Sequence, residues 1–398
     1  MAILAHRAFV RATVTNFFFF ASLNGFVLLP LYILRLGGTE VEIGLVMALH
    51  SGVGIVCQPL LGPWVDAAGR RPFMLLGVGL VLLSALLATA ATSIAWLAVV
   101  RALQGIGFSA FFVANYTYVI DLVPAERRGW ALGIYGVSGM ISTALTPLVG
   151  EAIIRTLGFR PFFGLCALLA AVSGVLVWQL AEPARAEAPT TRAWEIARAG
   201  VGDMLQLHMA VTVFFGLGTG TVFVFLPTFA EDLGVTTLAL FYTAYAMAAM
   251  GVRVVAGGLI DTRGRRAVIV PSMFLQAAAA ALLAGLGAAV TRTSPAPALP
   301  VLIVAGLMSG AAHGFLYPGL AALVADRAPP ERRGAVVGVF SAVFLVGNAG
   351  GAFAFGYVAH AFGYAAMWGL LAALLLAGAS LSLRLAEDTR LRPLRAAE

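Results

Sequence analysis

The chain alternates between long apolar runs and short polar breaks. Twelve runs can be marked, at about 10–34, 41–65, 72–91, 94–122, 129–153 and 161–181, then 205–230, 236–260, 267–290, 299–325, 334–358 and 363–385. Each is about as long as the 20 or so apolar residues that carry a helix across a hydrocarbon core of about 30 Å. Within such a core the backbone must satisfy its own hydrogen bonds, and runs of this length do so as helices. One break differs from the rest. Residues 182–204 open with Glu-Pro-Ala-Arg-Ala-Glu-Ala-Pro and read as a linker, in which 191–203 place Trp194, Ala197 and Val201 on one face of a surface-lying helix. The pattern predicts an all-α integral membrane protein. Its twelve transmembrane helices form two six-helix bundles, at 1–181 and 205–398, joined by the linker 182–204.

Composition agrees with that pattern. Hydrophobic residues make up 61% of the chain and charged residues only 11%, against about 25% charged in soluble domains. The formal charge is +7 and the pI about 9.9, values that can indicate nucleic-acid binding. Here the charge is better explained by topology. All 25 basic residues are arginine, and they cluster in the breaks. With both termini inside, 19 fall on the cytoplasmic side and four, Arg35, Arg155, Arg160 and Arg292, on the other; Arg101 and Arg253 lie within runs. The positive-inside rule therefore places the termini and the linker of this multi-pass cell membrane protein in the cytoplasm. The first run is too long for a signal-peptide core and lacks a small-residue cleavage site. Cys57 and Cys166 sit inside runs, away from any disulfide or metal framework.

The two halves repeat. Gly62-Pro-Trp-Val-Asp66-Ala-Ala-Gly69-Arg70-Arg71 recurs 195 positions later as Gly257-Gly-Leu-Ile-Asp261-Thr-Arg-Gly264-Arg265-Arg266. Leu29-Pro30 returns as Leu226-Pro227, and Leu36-Gly-Gly-Thr as Leu233-Gly-Val-Thr. Asp121-x4-Glu126-Arg-Arg-Gly129 returns as Asp326-x4-Glu331-Arg-Arg-Gly334. Parallel halves of this kind enclose a site near the bilayer midplane.

Gly-x-x-x-Asp-x-x-Gly-Arg-Arg, present twice between successive runs, resembles the signature of major facilitator superfamily transporters. Arg101-Ala-Leu-Gln104-Gly105-Ile-Gly107 looks like a second motif of that superfamily, an arginine facing the central cavity. The resemblance covers the whole chain; the chain is similar to bacterial drug and sugar-efflux members, which implies a bacterial inner membrane. A third motif, which marks proton-coupled exporters, is kept only in part: Gly139, Pro147 and Gly150 are present, but Ser142 and Thr146 stand where glycines are expected, and Glu151 follows. The resemblance also implies that each motif aspartate faces the start of a helix in the opposite half, Asp66 near Gly334 and Asp261 near Gly129.

A carboxylate at a membrane edge needs partners. Arg70 is one turn from Asp66, and Asp121 at the end of the fourth run can bracket it; Asp261, Arg265 and Asp326 repeat the set. With the glycines Gly62, Gly69, Gly257 and Gly264 these residues form a candidate gating latch. A carboxylate at a helix N-terminus contributes about 0.3–1 kcal/mol, up to about 2 when partly buried, so the latch is expected to hold the cytoplasmic side closed. The expected substrate or proton-coupling residues are Asn24, His50, Arg101, Asn115, Glu151, His313 and Tyr317. Arg101 is an expensive intramembrane charge, with Asn24, His50 and Glu151 as expected neighbours. His50 and His313 are the side chains most readily titrated near neutrality. Arg253 shares a helical stripe with Gly257 and Asp261 and reads equally as packing or as cavity lining.

No Asp or Glu falls near the middle of a run, so the cavity reads as neutral to positive. With no lysine there is no Gly-x4-Gly-Lys phosphate loop and hence no ATP drive in this chain. No catalytic set, cofactor motif or metal cluster stands out. The expected function is a monomeric secondary active transporter in the lipid bilayer. It moves a small neutral, amphipathic or anionic solute by alternating access in proton-coupled export. The alternatives are an importer of a small organic anion and a non-transporting membrane receptor on the same fold.

Overall fold

A computed structural model describes residues 7–123, 128–182, 207–290, 298–327 and 333–385. Nearly all of the linker, with its proposed surface helix, lies outside these residues, as do the side chains of Asp66, Asp261 and Asp326. The described residues form helices and no strand. They are α1 (Arg7–Gly25), a 3-10 turn (Phe26–Leu28), α2 (Leu29–Arg35), α3 (Glu40–Ala68), α4 (Arg70–Thr89), α5 (Ile94–Asp121), α6 (Arg128–Thr156) and α7 (Phe159–Trp178). The second half holds α8 (Leu207–Asp232), α9 (Ala239–Arg263), α10 (Arg265–Val290), α11 (Ala298–Arg327) and α12 (Arg333–Ser382). Ten stretches have the length and hydropathy of a membrane crossing, against twelve runs expected. The last, Val339–Ser382, is one 44-residue stretch where two runs were expected, and α9 falls outside the ten. Non-helical backbone at Gly363 breaks α12.

Local chemistry sets the helix ends. Pro30 lacks an N–H and crowds the preceding turn, so the first run breaks at Phe26–Leu28 into α1 and α2. Thr39 and Glu42 form a reciprocal capping box at the start of α3, with Glu42 Oε2 accepting from the Thr39 N–H at 2.8 Å. The tight turns use glycine. Among the described residues, positive φ occurs at Gly37, Gly69, Gly158, Gly234, Gly264 and Gly363. These six form three pairs along the repeat: Gly37 with Gly234, Gly69 with Gly264, and Gly158 with Gly363. Gly69 (φ 103°, ψ 163°) and Gly264 (φ 84°, ψ 165°) occupy a region essentially closed to other residues. The repeat is therefore one of backbone conformation as well as of sequence.

The same pairs define two ends of the molecule. Gly69 and Gly264 mark the motif end; Gly37, Gly158, Gly234 and Gly363 mark the far end. The halves meet where α3 packs on α12 and α6 packs on α9. Packing of the core differs between the ends. At the far end one apolar cluster joins both halves, with Phe26, Leu29 and Phe163 of the first alongside Phe225, Phe241 and Trp368 of the second. Toward the motif end the core splits. One cluster holds Phe19, Met74, Phe111 and Tyr118; another holds Phe215, Met273, Leu316 and Phe340. Among the described residues the halves thus share one apolar core at the far end and keep separate cores toward the motif end.

The far-end seal depends on a close crossing of α3 and α12. A Cβ on Gly44 would strike the Ala352 carbonyl and lie 3.2 Å from the Gly356 Cα, and one on Gly356 would lie 2.7 Å from the Glu40 carbonyl. Small residues let membrane helices approach this closely. Gly44→Leu is expected to destabilise the protein by about 1–3 kcal/mol through overpacking. Thermal unfolding in detergent reads this as a lowered midpoint, and an unchanged midpoint contradicts the close crossing.

Candidate solute cavity and its gates

A cavity of about 670 Å³ lies between the halves, within the range of small-molecule sites. Its walls run from Val27, Met47 and Val224 near the far-end seal to Tyr116, Leu132 and Ala321 near the motif end. Among the expected site residues, Asn24, His50, Arg101, His313 and Tyr317 line it; Asn115 and Glu151 do not. No aspartate or glutamate is among the described lining residues.

Arg101 is 7% exposed. Its Nη1 donates to Gln104 Oε1 at 2.8 Å and its Nη2 to the Met47 carbonyl at 3.5 Å, while Nε has no acceptor. Its hydrogen bonds go to none of the neighbours expected from sequence, Asn24, His50 and Glu151, although His50 lies close enough to feel its charge. Asn24 instead ties α1 to α6, donating to Ser142 Oγ at 2.8 Å and Thr143 Oγ1 at 3.0 Å. Asn16 does the same one level nearer the motif end, donating to Ser138 Oγ at 2.9 Å. Ser142, which departs from the exporter motif, thus serves as the acceptor for Asn24. Asn115 is fully buried within the first half and donates to the Tyr135 hydroxyl at 3.1 Å. A buried amide needs a partner, and a neighbouring helix supplies it here instead of the cavity.

Aromatic rings cover much of the wall. On α5, Phe108, Phe112 and Tyr116 stack at i, i+4 and i+8, with centroids 5.4 and 5.9 Å apart. The repeat places His313, Tyr317 and Ala321 at the matching positions of α11. His50 lies 5.2 Å from Phe108, and its counterpart Tyr245 lies 5.7 Å from His313. Gln58 accepts from Ser341 across the halves at 3.0 Å. At its repeat position stands Arg253, which lines the cavity and reaches across to α6, where a Cβ on Gly136 would lie 3.1 Å from its Nη1. Arg253 therefore both lines the cavity and packs between α9 and α6. Spacing on the Arg101 face could have revealed the α5 ring ladder.

Glu151 acts at the far-end seal. Helix α9 begins after Leu238, which has no side-chain acceptor for the free N–H groups of the first turn. Glu151, from the opposite half, supplies one: its Oε2 accepts from the Ala239 N–H at 2.8 Å. Its Oε1 accepts from Arg155 Nη2 at 2.7 Å and Nε at 3.1 Å. Glu151 is expected from sequence beside Arg101; its hydrogen bonds go instead to Arg155 and to the helix terminus of the other half, which stabilises its charge. Thr243 donates to the Ala144 carbonyl at 3.0 Å beside it. On the symmetry-related side, Glu40 Oε2 lies 3.0 Å from His360 Nδ1.

At the motif end, Arg70 Nε lies 3.1 Å from Asp121 Oδ2, the bracket expected from sequence. Glu182, not anticipated, caps α4: its two oxygens accept from the backbone N–H groups of Arg70 at 2.6 Å and Arg71 at 2.9 Å. Arg71 donates to the Trp178 carbonyl at 2.6 Å, and Arg266 in the second half donates to the Leu383 carbonyl at 2.8 Å. The aspartates that would complete the latch lie outside the description.

A multi-pass helical protein with two repeated halves around a central cavity has the architecture of a solute transporter. The chain belongs to the Major Facilitator Superfamily, whose sequence profile matches residues 12–290 and 208–398. It is a transporter and not an enzyme. It is similar to the multi-drug resistance efflux pump PmrA of Streptococcus pneumoniae, 27% identical over 85% of this chain and 86% of that protein. It also resembles Multidrug resistance protein 3 of Bacillus subtilis, 32% identical over 29% of this chain, a match spanning only 23% of that protein. In fold it resembles the crystal structure of a point mutant of the nucleoside transporter NupG, with a TM-score of 0.79, 14% identity, and coverage of 95% of this chain and 99% of that one.

Proposed function

We propose that the protein exports a small neutral, amphipathic or anionic solute across the bacterial inner membrane, driven by protons, with the termini and motif end in the cytoplasm. The observation that carries this reading is a cavity with two arginines and no described acid, in a chain similar along most of its length to an efflux pump. Solute enters from the motif end while Glu151, Glu40 and His360 hold the far end shut. Protonation of Glu151 removes the charge that caps α9 and pairs with Arg155, which loosens the far end and lets solute leave outward as the proton enters. His50, inside the cavity, is the second candidate carrier. The residues of the motif latch then hold the cytoplasmic side closed. One charge moved down 100 mV supplies about 2.3 kcal/mol, enough for a concentration ratio of roughly fifty-fold.

Cells expressing the protein and loaded with fluorescein are expected to retain less dye than cells without it, and a protonophore should abolish the difference. Higher retention would mean import. A difference that survives collapse of the proton gradient would rule out proton drive.

A further inference from the structure

Arg101 and Gln104 leave an acceptor-poor pocket at the deep end of the cavity. Arg101 is more than nine-tenths buried, its two partners are neutral, and two donors of the bonded pair, Arg101 Nε and Gln104 Nε2, have no acceptor. A buried cation without a counter-charge is costly, and a donor without an acceptor adds to that cost. A ligand oxyanion removes both penalties, and a planar guanidinium suits a carboxylate in particular. From Arg101 the same helix runs about 10 Å to Phe108, where the ring ladder begins. Phe20 adds an edge-on contact to Phe108 at 6.1 Å. Arg253, on the opposite half, makes the wall nearer the motif end positive as well.

We propose that the cavity selects an organic anion bearing an aromatic ring, with its acidic group on the Arg101 guanidinium and its ring against Phe108 and Phe112. Gln104 positions Arg101 through the Nη1 bond, and Arg253 excludes cations and draws anions in. The proposal rests on reading the cavity as the solute site, and it narrows the solute to one charge class. It has a mechanical consequence. Arg101 and Arg253 belong to different halves, so closing the motif end over an empty cavity would enclose two cations with no acid among the described lining residues. A bound anion lifts that repulsion, so closure follows binding.

The test uses the purified full-length protein and three probes of one shape: 2-naphthoate, 2-naphthamide and 2-naphthylmethylamine. Titration calorimetry at neutral pH should give at least ten-fold tighter binding of the acid than of the amide, with the amine weakest. In Arg101→Gln, the acid should fall to the affinity of the amide while the amide is unchanged. Equal binding of acid and amide, tightest binding of the amine, or no binding of any of the three overturns the proposal. The wild-type ratio decides without a variant, so a poorly folded Arg101→Gln does not shield the idea. If the amide or amine binds best and is moved in liposomes, the charge class fails while the transporter reading stands.

Discussion

Glu151→Ala is expected to open the far end. The side chain is 9% exposed, and it supplies the acceptor that Leu238 lacks at the start of α9. Removing it leaves a buried N–H without a partner, at about 1–3 kcal/mol, and forfeits the charge–dipole attraction of about 0.3–2 kcal/mol. The Arg155 pair adds little, because Arg155 is 46% exposed. The interaction joins α6 to α9, so its loss falls on the contact between the halves and spares the fold within each. About 1–3 kcal/mol shifts a two-state equilibrium by roughly 5- to 150-fold. A cysteine at Val27, on the cavity wall beside the seal, should then react with an impermeant maleimide from the far side at least five-fold faster. Glu151→Gln keeps an acceptor oxygen and should give a smaller increase. An unchanged rate in both variants would mean that the carboxylate does not hold the seal.

The second large effect is at Arg101. Arg101→Gln is expected to reduce transport of an anionic solute at least ten-fold without lowering the thermal midpoint. A structural arginine paired with a buried carboxylate would behave otherwise, because deleting it strands the acid at about 3–5 kcal/mol. Here the partners are a neutral amide and a carbonyl, so the variant loses little and sheds an unpaired buried charge. Thermal melts and liposome uptake on the same preparation separate the two cases. A midpoint that falls together with transport would assign Arg101 a structural role.

Much of this was legible in the chain. Run lengths give the helices, and the paired motifs give the repeat. The Arg70–Asp121 bracket follows from two landmarks at the same membrane edge. The matched turns at Gly158 and Gly363 were not legible, because neither is flanked by a charged signature like that around Gly69 and Gly264. Glu182 reads as the first residue of a linker, and its partner, the start of α4, is 112 residues away in sequence.

The partners of Glu151 and Asn115, which sequence did not anticipate, have a common cause. Sequence reasoning asks what offsets the cost of a polar group in a membrane and looks first to the cavity. The offsets here are a helix terminus from the other half and a tyrosine hydroxyl from the next helix. The latch reading concerns Asp66, Asp261 and Asp326, whose side chains lie outside the described residues. The described core joins the halves at the far end and forms separate clusters toward the motif end, and periodicity and motif spacing do not tell two states of one chain apart.

The central claim is that solute crosses through this one cavity only if the far end can open. Glu40 and His360 touch across that end, so Glu40→Cys with His360→Cys, in a Cys57→Ser background, can be bridged by a short bifunctional thiol reagent. In liposomes, movement of the transported solute is expected to stop on bridging and return on reduction, with the reagent leaving the Glu40→Cys and His360→Cys single substitutions unaffected. Undiminished movement through fully bridged protein would contradict the account.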